Sequence, residues 1–343
     1  MNATSESRVG AIHASSPLVA RVFAELSDGQ FHSGEDLAKA LGVTRSAVWK
    51  AANALRDLGT SMEAVRNRGY KLLGASEPLA AAHIREHLSP SVNERLTRLD
   101  VAWMTASTNS ELVERPYPAQ GRSEVLLAEF QTAGRGRRGR SWLAPPGGAV
   151  CLSLSWTFPE VPRDAGSLSL AVGVSVLRAL LALNVPDVRL KWPNDILVGD
   201  RKLGGILIEL RAEAAGPACV VVGIGLNVAL GSGLVETIAA TGLRATDLVT
   251  VTGGSVSRNA LAAQLIENNV RGLLSFEQEG LKPFIEQWRN ADALRGRPLD
   301  VSVGSEVVRG LGRGIDLSGA LLVETREGLQ KFLSGEVTVR PAE

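Results

Sequence analysis

Residues 125–142 read Val-Leu-Leu-Ala-Glu-Phe-Gln-Thr-Ala-Gly-Arg-Gly-Arg-Arg-Gly-Arg-Ser-Trp. The first six form a mostly apolar run and predict a buried strand. The rest interleaves Arg135, Arg137, Arg138 and Arg140 with Gly134, Gly136 and Gly139. Glycine permits close backbone approach, and each guanidinium brings fixed charge and a fork of donors. Pro145-Pro146-Gly147-Gly148 follows, so no helix starts behind the loop. A cationic, glycine-rich loop leaving a strand is suited to closing over an anion. The same letters satisfy Gly-x-Gly-x-x-Gly, but a dinucleotide fingerprint needs a helix directly behind its glycines. The prolines forbid that helix, and the Rossmann reading is rejected. Taken alone, the loop also fits an unstructured Arg-Gly segment that adheres to any nucleic acid, so its neighbours must decide.

Those neighbours place polar islands at strand ends. Upstream, residues 101–104 predict a strand, and Ser107-Thr108-Asn109-Ser110 caps a helix running to about residue 115. Downstream, residues 164–183 predict a long apolar helix. Ser169, Ser175, Arg178 and Asn184 break the apolar region 168–185, so it reads as a helix buried in protein rather than crossing a membrane. Residues 188–192 predict a strand ended by Pro193. Residues 203–210 and 219–228 predict a hairpin with its turn at 214–217. Lys191-Trp192-Pro193-Asn194-Asp195 puts an amide and a carboxylate in a proline-set turn. Arg201-Lys202-Leu203-Gly204-Gly205 puts a lysine before bare backbone, and Gly223-Ile224-Gly225-Leu226-Asn227 repeats bare backbone on the next strand. Singly, these read as a turn, a charged loop and tight packing. With the arginine loop they form one set. Locally paired strands with a few helices predict an α+β layer structure over residues 83–290.

Ahead of this region, residues 17–74 have the pattern of a reading head. Leu18, Val19, Val22, Phe23 and Leu26 have helical spacing, and Ser33-Gly34-Glu35-Asp36 opens a second helix closed by Gly42. Thr44 caps a third helix, residues 45–58. Val48, Ala51, Ala52, Leu55 and Leu58 line its apolar side, while Arg45, Ser46, Trp49, Lys50, Asn53 and Arg56 lie opposite. Residues 61–73 alternate like a wing turning at Asn67-Arg68-Gly69. This predicts a winged helix-turn-helix. Arg45, Lys50, Arg56, Arg66, Arg68 and Lys71 stand against Asp57 and Glu63, a local balance of +4. Phosphate neutralisation by such residues supplies most DNA affinity. Arg45, Ser46, Lys50 and Asn53 are candidates for base edges, and Trp49, Arg56, Arg66 and Arg68 complete the predicted DNA face. A solvated charged face on a small helical domain is the plainer alternative.

Whole-chain properties leave such a site local. The 343 residues suggest two or three domains. Lys+Arg numbers 37 and Asp+Glu 36, so global charge does not steer the chain to nucleic acid. Cys151 and Cys219, each in an apolar run, read as reduced thiols of a cytoplasmic protein. The four histidines are scattered and make no metal cluster. The N-terminus lacks the apolar core of a signal peptide. Residues 1–16 are expected to be disordered and residues 75–82 to form a linker.

Ser107-Thr108-Asn109, residues 131–140, 191–195, 201–205 and 223–227 together resemble the biotin protein ligases. The arginine loop and the Lys-Trp-Pro-Asn-Asp segment are the most specific elements. The helix-turn-helix resembles that of the bifunctional members, which also repress biotin synthesis. Residues 297–341, with strands expected at 299–303, 320–324 and 336–340, resemble the family's SH3-like barrel, set here at 295–341. The fold implied is multidomain α+β: a winged helix-turn-helix, a central mixed α/β ligase domain of the biotin/lipoyl type and an SH3-like β-barrel.

The resemblance implies two steps. Biotin carboxylate attacks the α-phosphate of ATP to give biotinyl-5'-AMP, and a lysine of biotin carboxyl carrier protein then takes the biotinyl group. It implies that Ser107, Thr108, Asn109, Gln131, Gly134, Arg135, Gly136, Arg137, Asn194, Lys202, Gly204, Gly205 and Asn227 bind biotin or the adenylate. Arg135, Arg137 and Lys202 would neutralise the meeting anions, and Asp195 would orient the incoming amine. Magnesium would come with ATP, near Asp195, without a dedicated protein site. Operator DNA and an adenylate-loaded homodimer are the further partners, with no membrane. A lipoyl ligase and a non-catalytic ligand-sensing repressor are the alternatives.

Overall fold

The computed structural model describes residues 16–74, 77–212, 216–333 and 337–341. The expected disorder of residues 1–16 lies outside them except for Ser16, as does the linker's 75–76. Helices α1 (Pro17–Leu26), α2 (Gly34–Leu41) and α3 (Arg45–Asp57) are followed by the two-stranded wing β1 (Met62–Val65) and β2 (Gly69–Leu72). Each helix starts where a hydroxyl takes up an orphan N–H: Ser16 accepts from Leu18, Ser33 from Asp36 and Thr44 from Ala47. Gly42 at φ 67° ends α2 in the left-handed conformation. Val22, Phe23, Leu26, Leu37, Val48 and Leu55 close the small core. Leu58, expected in the third helix, is its C-cap.

The central unit begins with α4 (Ala81–Glu86) and α5 (Pro90–Asn93). Then come β3 (Leu96–Thr105), α6 (Thr108–Glu114), β4 (Ser123–Gln131), β5 (Ala149–Phe158) and α7 (Leu168–Ala182). Four strands follow: β6 (Val188–Lys191), β7 (Asp195–Val198), β8 (Arg201–Ala212) and β9 (Ala218–Asn227). Helices α8 (Ser232–Ala239), α9 (Leu248–Thr252), α10 (Arg258–Glu279) and α11 (Ile285–Asn290) complete it. One seven-stranded sheet runs β3-β4-β5-β9-β8-β7-β6, antiparallel except for β3 beside β4. The β8–β9 hairpin is as expected, although residues 213–215 of its turn are outside the described chain.

The period of two along each strand divides this sheet into unlike faces. Val125, Leu127, Val150, Leu152, Leu154, Ile206, Val222 and Ile224 face one way into the main core. Helices α7 and α10 cover them. The window 165–182 has the length and apolarity of a membrane span, yet two-thirds of it is buried within the protein. The registers pair Cys151 with Gly225, Ser153 with Gly223 and Gly205 with Gly225, so these small residues share the other face. Helix α6 and the arginine loop lie over that face.

The C-terminal unit is an antiparallel sheet ordered β13-β12-β11-β10-β14, in the SH3-like class. Its strands are β10 (Pro298–Val303), β11 (Glu306–Ile315), β12 (Leu321–Thr325), β13 (Gly328–Phe332) and β14 (Val337–Pro341). The three strands expected there omit β11 and β13. Glycines at 310, 312 and 314 had obscured β11. At Gly310 and Gly312 an added Cβ would meet neighbouring backbone at 2.4 and 2.3 Å, so these glycines mark close packing rather than a break.

The three units are joined by specific contacts. The Phe23 and Trp103 rings lie 5.5 Å apart, between reading head and β3. The Trp192 indole donates to the Gly319 carbonyl at 3.1 Å. Residues 77–80 are pinned: Glu129 accepts from the Leu79 N–H at 2.6 Å and Asn259 from the Ala80 N–H at 2.8 Å. The fully buried Arg258 pairs with Glu129 at 2.7 Å. The expected linker is therefore fastened along its described part, and its last residues begin α4.

Candidate active site

The arginine loop is a short irregular hairpin. Arg135 bridges Ser141, Gly136 N–H donates to the Arg140 carbonyl at 2.7 Å and Trp142 N–H to the Gly134 carbonyl at 2.8 Å. Residues 137–139 form a single 3-10 turn, with Arg138 at φ 58°. Gly134 has no room for a Cβ, which would stand 2.5 Å from the Trp142 carbonyl. The next helical turn is at 165–167, after β5, in keeping with the rejected dinucleotide fold.

The loop reaches the site from one side and α6 from another. Ser107 caps α6 by accepting from the Ser110 N–H at 3.4 Å. Gln131, at the end of β4, brings its carbonyl oxygen to Thr108, 2.8 Å from the backbone nitrogen and 3.1 Å from the hydroxyl. Asn109 lies on β9: an added Cβ on Gly223 would stand 2.3 Å from its Oδ1. The Asn109 amide donates to Glu209 at 2.8 Å, and Ser153 Oγ lies 2.7 Å from both Asn109 Oδ1 and Thr108 Oγ1. Ser107, Thr108, Asn109 and Ser153 are buried.

The cations are paired across the same cleft. Lys202 Nζ is 2.6 Å from Asp195 Oδ1 and folds back over Gly205. Arg137 donates to Asn194 Oδ1 at 3.2 Å, and Asn194 donates to the Ile206 carbonyl. Burial holds the Arg137 guanidinium below its ordinary pKa, with Arg138 and Arg140 adding repulsion and Asp195 opposing them. Loop, turn and strand β8 thus meet at one place.

Three sequence expectations change. Gly204 belongs to the opposite face: its Cβ would stand 2.3 Å from Leu226 Cδ2, so it is a packing glycine, while Gly205 faces the cleft. Arg135, expected to neutralise the reacting anions, pairs instead with Glu209 at 3.0 Å and donates to Ser110 at 3.1 Å. Asn227 is buried and donates to the Thr246 carbonyl at 3.0 Å, holding segment 244–246 against the start of β8. Among the described residues no group of three His, Cys, Asp or Glu is placed to hold a metal.

Four residues escaped the sequence reading. Trp142 lays its indole on Gly225, where an added Cβ would be 2.6 Å from the ring, and edges Gly205 at 3.7 Å. It is the apolar wall over the bare backbone. Glu209 ties Asn109 to Arg135. Ser153 and Cys151 form the floor, and burial pushes the Cys151 thiol up to about 11. Polar residues at alternate positions of β5, namely Cys151, Ser153, Ser155 and Thr157, carried the signal for that floor.

On the reading head, Arg45, Ser46, Trp49, Lys50 and Arg56 are exposed along α3, and Asn53 is partly so. Arg66 and Arg68 are exposed on the wing, with Arg68 stacked 4.0 Å over the Phe31 ring.

Comparison with known proteins agrees with this geometry. Residues 102–227 match the biotin/lipoate A/B protein ligase family, residues 21–71 an HTH domain and residues 296–340 the biotin protein ligase C-terminal domain. The bifunctional ligase/repressor BirA of Salmonella typhimurium is 37% identical over 93% of this chain and 96% of its own length. The biotin–[acetyl-CoA-carboxylase] ligase of Mycobacterium tuberculosis is 36% identical, over 70% of this chain and 92% of its own. The solved biotin protein ligase of Aquifex aeolicus in complex with biotin and ATP is 28% identical. It covers 72% of this chain and all of that one, at a TM-score of 0.61. With near full-length identity at this level and the ordered site in place, this chain belongs to the biotin protein ligases, in the branch with a helix-turn-helix ahead of the ligase.

Proposed function

We propose that this chain is an ATP-dependent biotin ligase that forms biotinyl-5'-AMP and transfers biotin to a lysine of a carrier protein. The observation that carries this is the meeting of the arginine loop, the Asn194-Asp195 turn and Lys202 over the bare strip at Gly205 and Gly225. The ring system of biotin fits beside Trp142, whose indole already covers Gly225, with Thr108, Asn109 and Gln131 at its polar end. A biotin carboxylate oxygen attacks the α-phosphorus of ATP and pyrophosphate leaves. Lys202 and Arg137 stabilise the charge that gathers there, in a half-buried setting that strengthens them. The carrier amine then attacks the acyl carbon, AMP leaves, and the amine loses a proton. Asp195, beside Lys202, is the carboxylate nearest that event.

Magnesium would arrive on the triphosphate. Asp195, paired with Lys202, is the carboxylate beside which it would lie. Biotin-dependent pyrophosphate release, followed by label transfer to a carrier domain, tests the reading. Lipoate giving the same release in place of biotin would overturn it.

The second role is adenylate-responsive repression. The exposed basic face of α3 and the wing suit operator DNA. Beyond residue 206, β8 takes its ladder partners from β9 alone among the described residues, and Leu210 is exposed there. That open edge suits strand pairing with a second copy or with the carrier. The domain limits proposed are 17–74, 83–290 and 295–341, and two free buried thiols suit a reducing cytoplasm. An adenylate-independent mobility shift at the chain's own biotin-synthesis promoter would remove the coupled-repressor role.

A further inference from the structure

The reading head carries an indole where its other outward side chains are polar. Val48, Ala51 and Leu55 of α3 turn into the small core, so helical spacing puts Ser46, Trp49, Lys50 and Asn53 along the opposite stripe. Trp49 is 55% exposed there. Tryptophan is mostly buried in folded proteins, and an indole left half in water among cations calls for an apolar partner outside the chain.

Its neighbours are committed or unselective. Arg45 lies along the first turn of α2: an added Cβ on Gly34 would stand 3.6 Å from its Cγ and Nε. Arg56 donates to Asn53 Oδ1 at 3.4 Å, so that amide oxygen is turned along the helix. Lys50 is a flexible point charge without a fixed fork of donors. Such groups suit phosphate, which positions a helix on the duplex without reading sequence.

The wing is fastened for the same task. His32 and Tyr70 exchange two backbone hydrogen bonds at 2.9 Å, and the Phe31 ring holds the Arg68 guanidinium at 4.0 Å and the Lys71 ammonium at 5.7 Å. Cations held against one ring fix where a phosphate backbone runs relative to α3. Trp49 lies near the start of α3, the end of a recognition helix that reaches base edges. There the major groove offers one apolar group, the C5-methyl of thymine.

We propose that Trp49 is a sequence-reading residue of the head and selects thymine, laying its indole against C5-methyl groups in the major groove. Arg45, Lys50, Arg56 and the wing cations held by Phe31 grip phosphate around it. The inference rests on the repressor reading and deepens it by naming the base chemistry that the head recognises.

The test measures binding of the full chain, with biotin and ATP, to the duplex it protects at its own biotin-synthesis promoter. Within that duplex each thymine is replaced in turn by deoxyuridine, which removes the methyl group and nothing else. Wild type, Trp49→Phe and Trp49→Ala are compared. For wild type, one thymine in each half-site should cost roughly fourfold in affinity on losing its methyl, and roughly fifteenfold when both half-sites are changed, the factor that burial of one methyl group gives. Trp49→Ala should bind the thymine and deoxyuridine duplexes alike, and more weakly than wild type binds thymine. Trp49→Phe, which keeps an apolar ring, should retain part of the preference. Melting temperature and the salt dependence of affinity should be the same in all three, because Trp49 neither fills the core nor neutralises phosphate. An undiminished preference for thymine in Trp49→Ala overturns the inference. So does a flatter salt dependence or a lowered melting temperature in that variant, since the indole would then act through the cations or the fold. Wild type that protects no DNA sinks the repressor reading and this inference together, whereas protection that is indifferent to every deoxyuridine replacement sinks this inference alone.

Discussion

The two faces of the central sheet are built from the same strands and do opposite work. Toward α7 and α10, β5 and β9 present Val150, Leu152, Leu154, Val222 and Ile224, all within the main core. Toward α6 and the arginine loop the alternate residues are Cys151, Ser153, Gly223 and Gly225. One face excludes water by filling space, and the other leaves space and lines it with directed polar groups. A one-residue slip of either strand would exchange them. Stability and recognition are thus separated by a single backbone step, and substitutions one residue apart should report different properties.

The sharpest break is at neighbouring positions of β9. Gly223→Val would push a branched side chain into Asn109, whose Oδ1 already lies 2.3 Å from an ideal Cβ. Biotin-dependent pyrophosphate exchange should fall ~10³-fold, the scale of an overpacked site with its polar groups unpaired, while the chain still folds. Next door, Ile224→Ala opens a cavity on the core face. Chemical denaturation should show a loss of about 3 kcal/mol, with the KM for biotin within about twofold of wild type. If Ile224→Ala instead raised that KM strongly with little loss of stability, the separation of faces would be wrong.

Charge sharpens the contrast. On the cleft side Glu209 and Asp195 each have a cation at 3.0 Å or less. Beside the edge strand β6, Asp292 bridges Leu190 and lies between the core residues Ala291 and Leu294, and its Oδ2 has no hydrogen-bond partner. Burial raises its pKa from 3.8 to about 6, against hydrogen bonds from the backbone that lower it. The folded state therefore holds the proton more tightly than the unfolded chain. That contribution is complete below pH 3.8 and is lost as pH rises through about 6. Relative to wild type, Asp292→Asn should gain about 2 kcal/mol between pH 4 and pH 8. Parallel pH–stability curves would show that this buried position does not penalise the charge.

A further test concerns the floor itself. Because burial lifts the Cys151 thiol to about 11, its thiolate is scarce at pH 8. Iodoacetamide should label it at least about a hundredfold more slowly than a free thiol of ordinary pKa. Saturating biotin should slow labelling further, which mass spectrometry would read. Labelling at the free-thiol rate would mean the floor is open to water.

Much of this was legible in the chain. The helix caps at Ser33, Thr44 and Ser107, the glycine stop at Gly42 and the long helix before residue 183 follow from local chemistry. So does the cationic loop between β4 and β5. The barrel was read less well, because the glycines of β11 look like breaks until the neighbours that crowd them are known. Within the site, residue types at strand ends named Lys202, Asp195, Asn194 and Gln131, but not their partners. Glu209, Ser153 and Trp142 looked like ordinary strand and loop residues, since nothing near them in sequence gives them a task.

By itself the sequence determined many of the helices, strands and loops, and which of them carry charge and bare backbone, because those properties depend on each residue and its near neighbours. Only the tertiary structure decided that Gly204 packs while Gly205 receives, that Arg135 answers to Glu209, and that Asn109 rests on Gly223. These depend on strand register and on the approach of α6 from about a hundred residues away along the chain. Long-range pairing sets which atoms meet, and a hydrogen bond is lost within a fraction of an ångström.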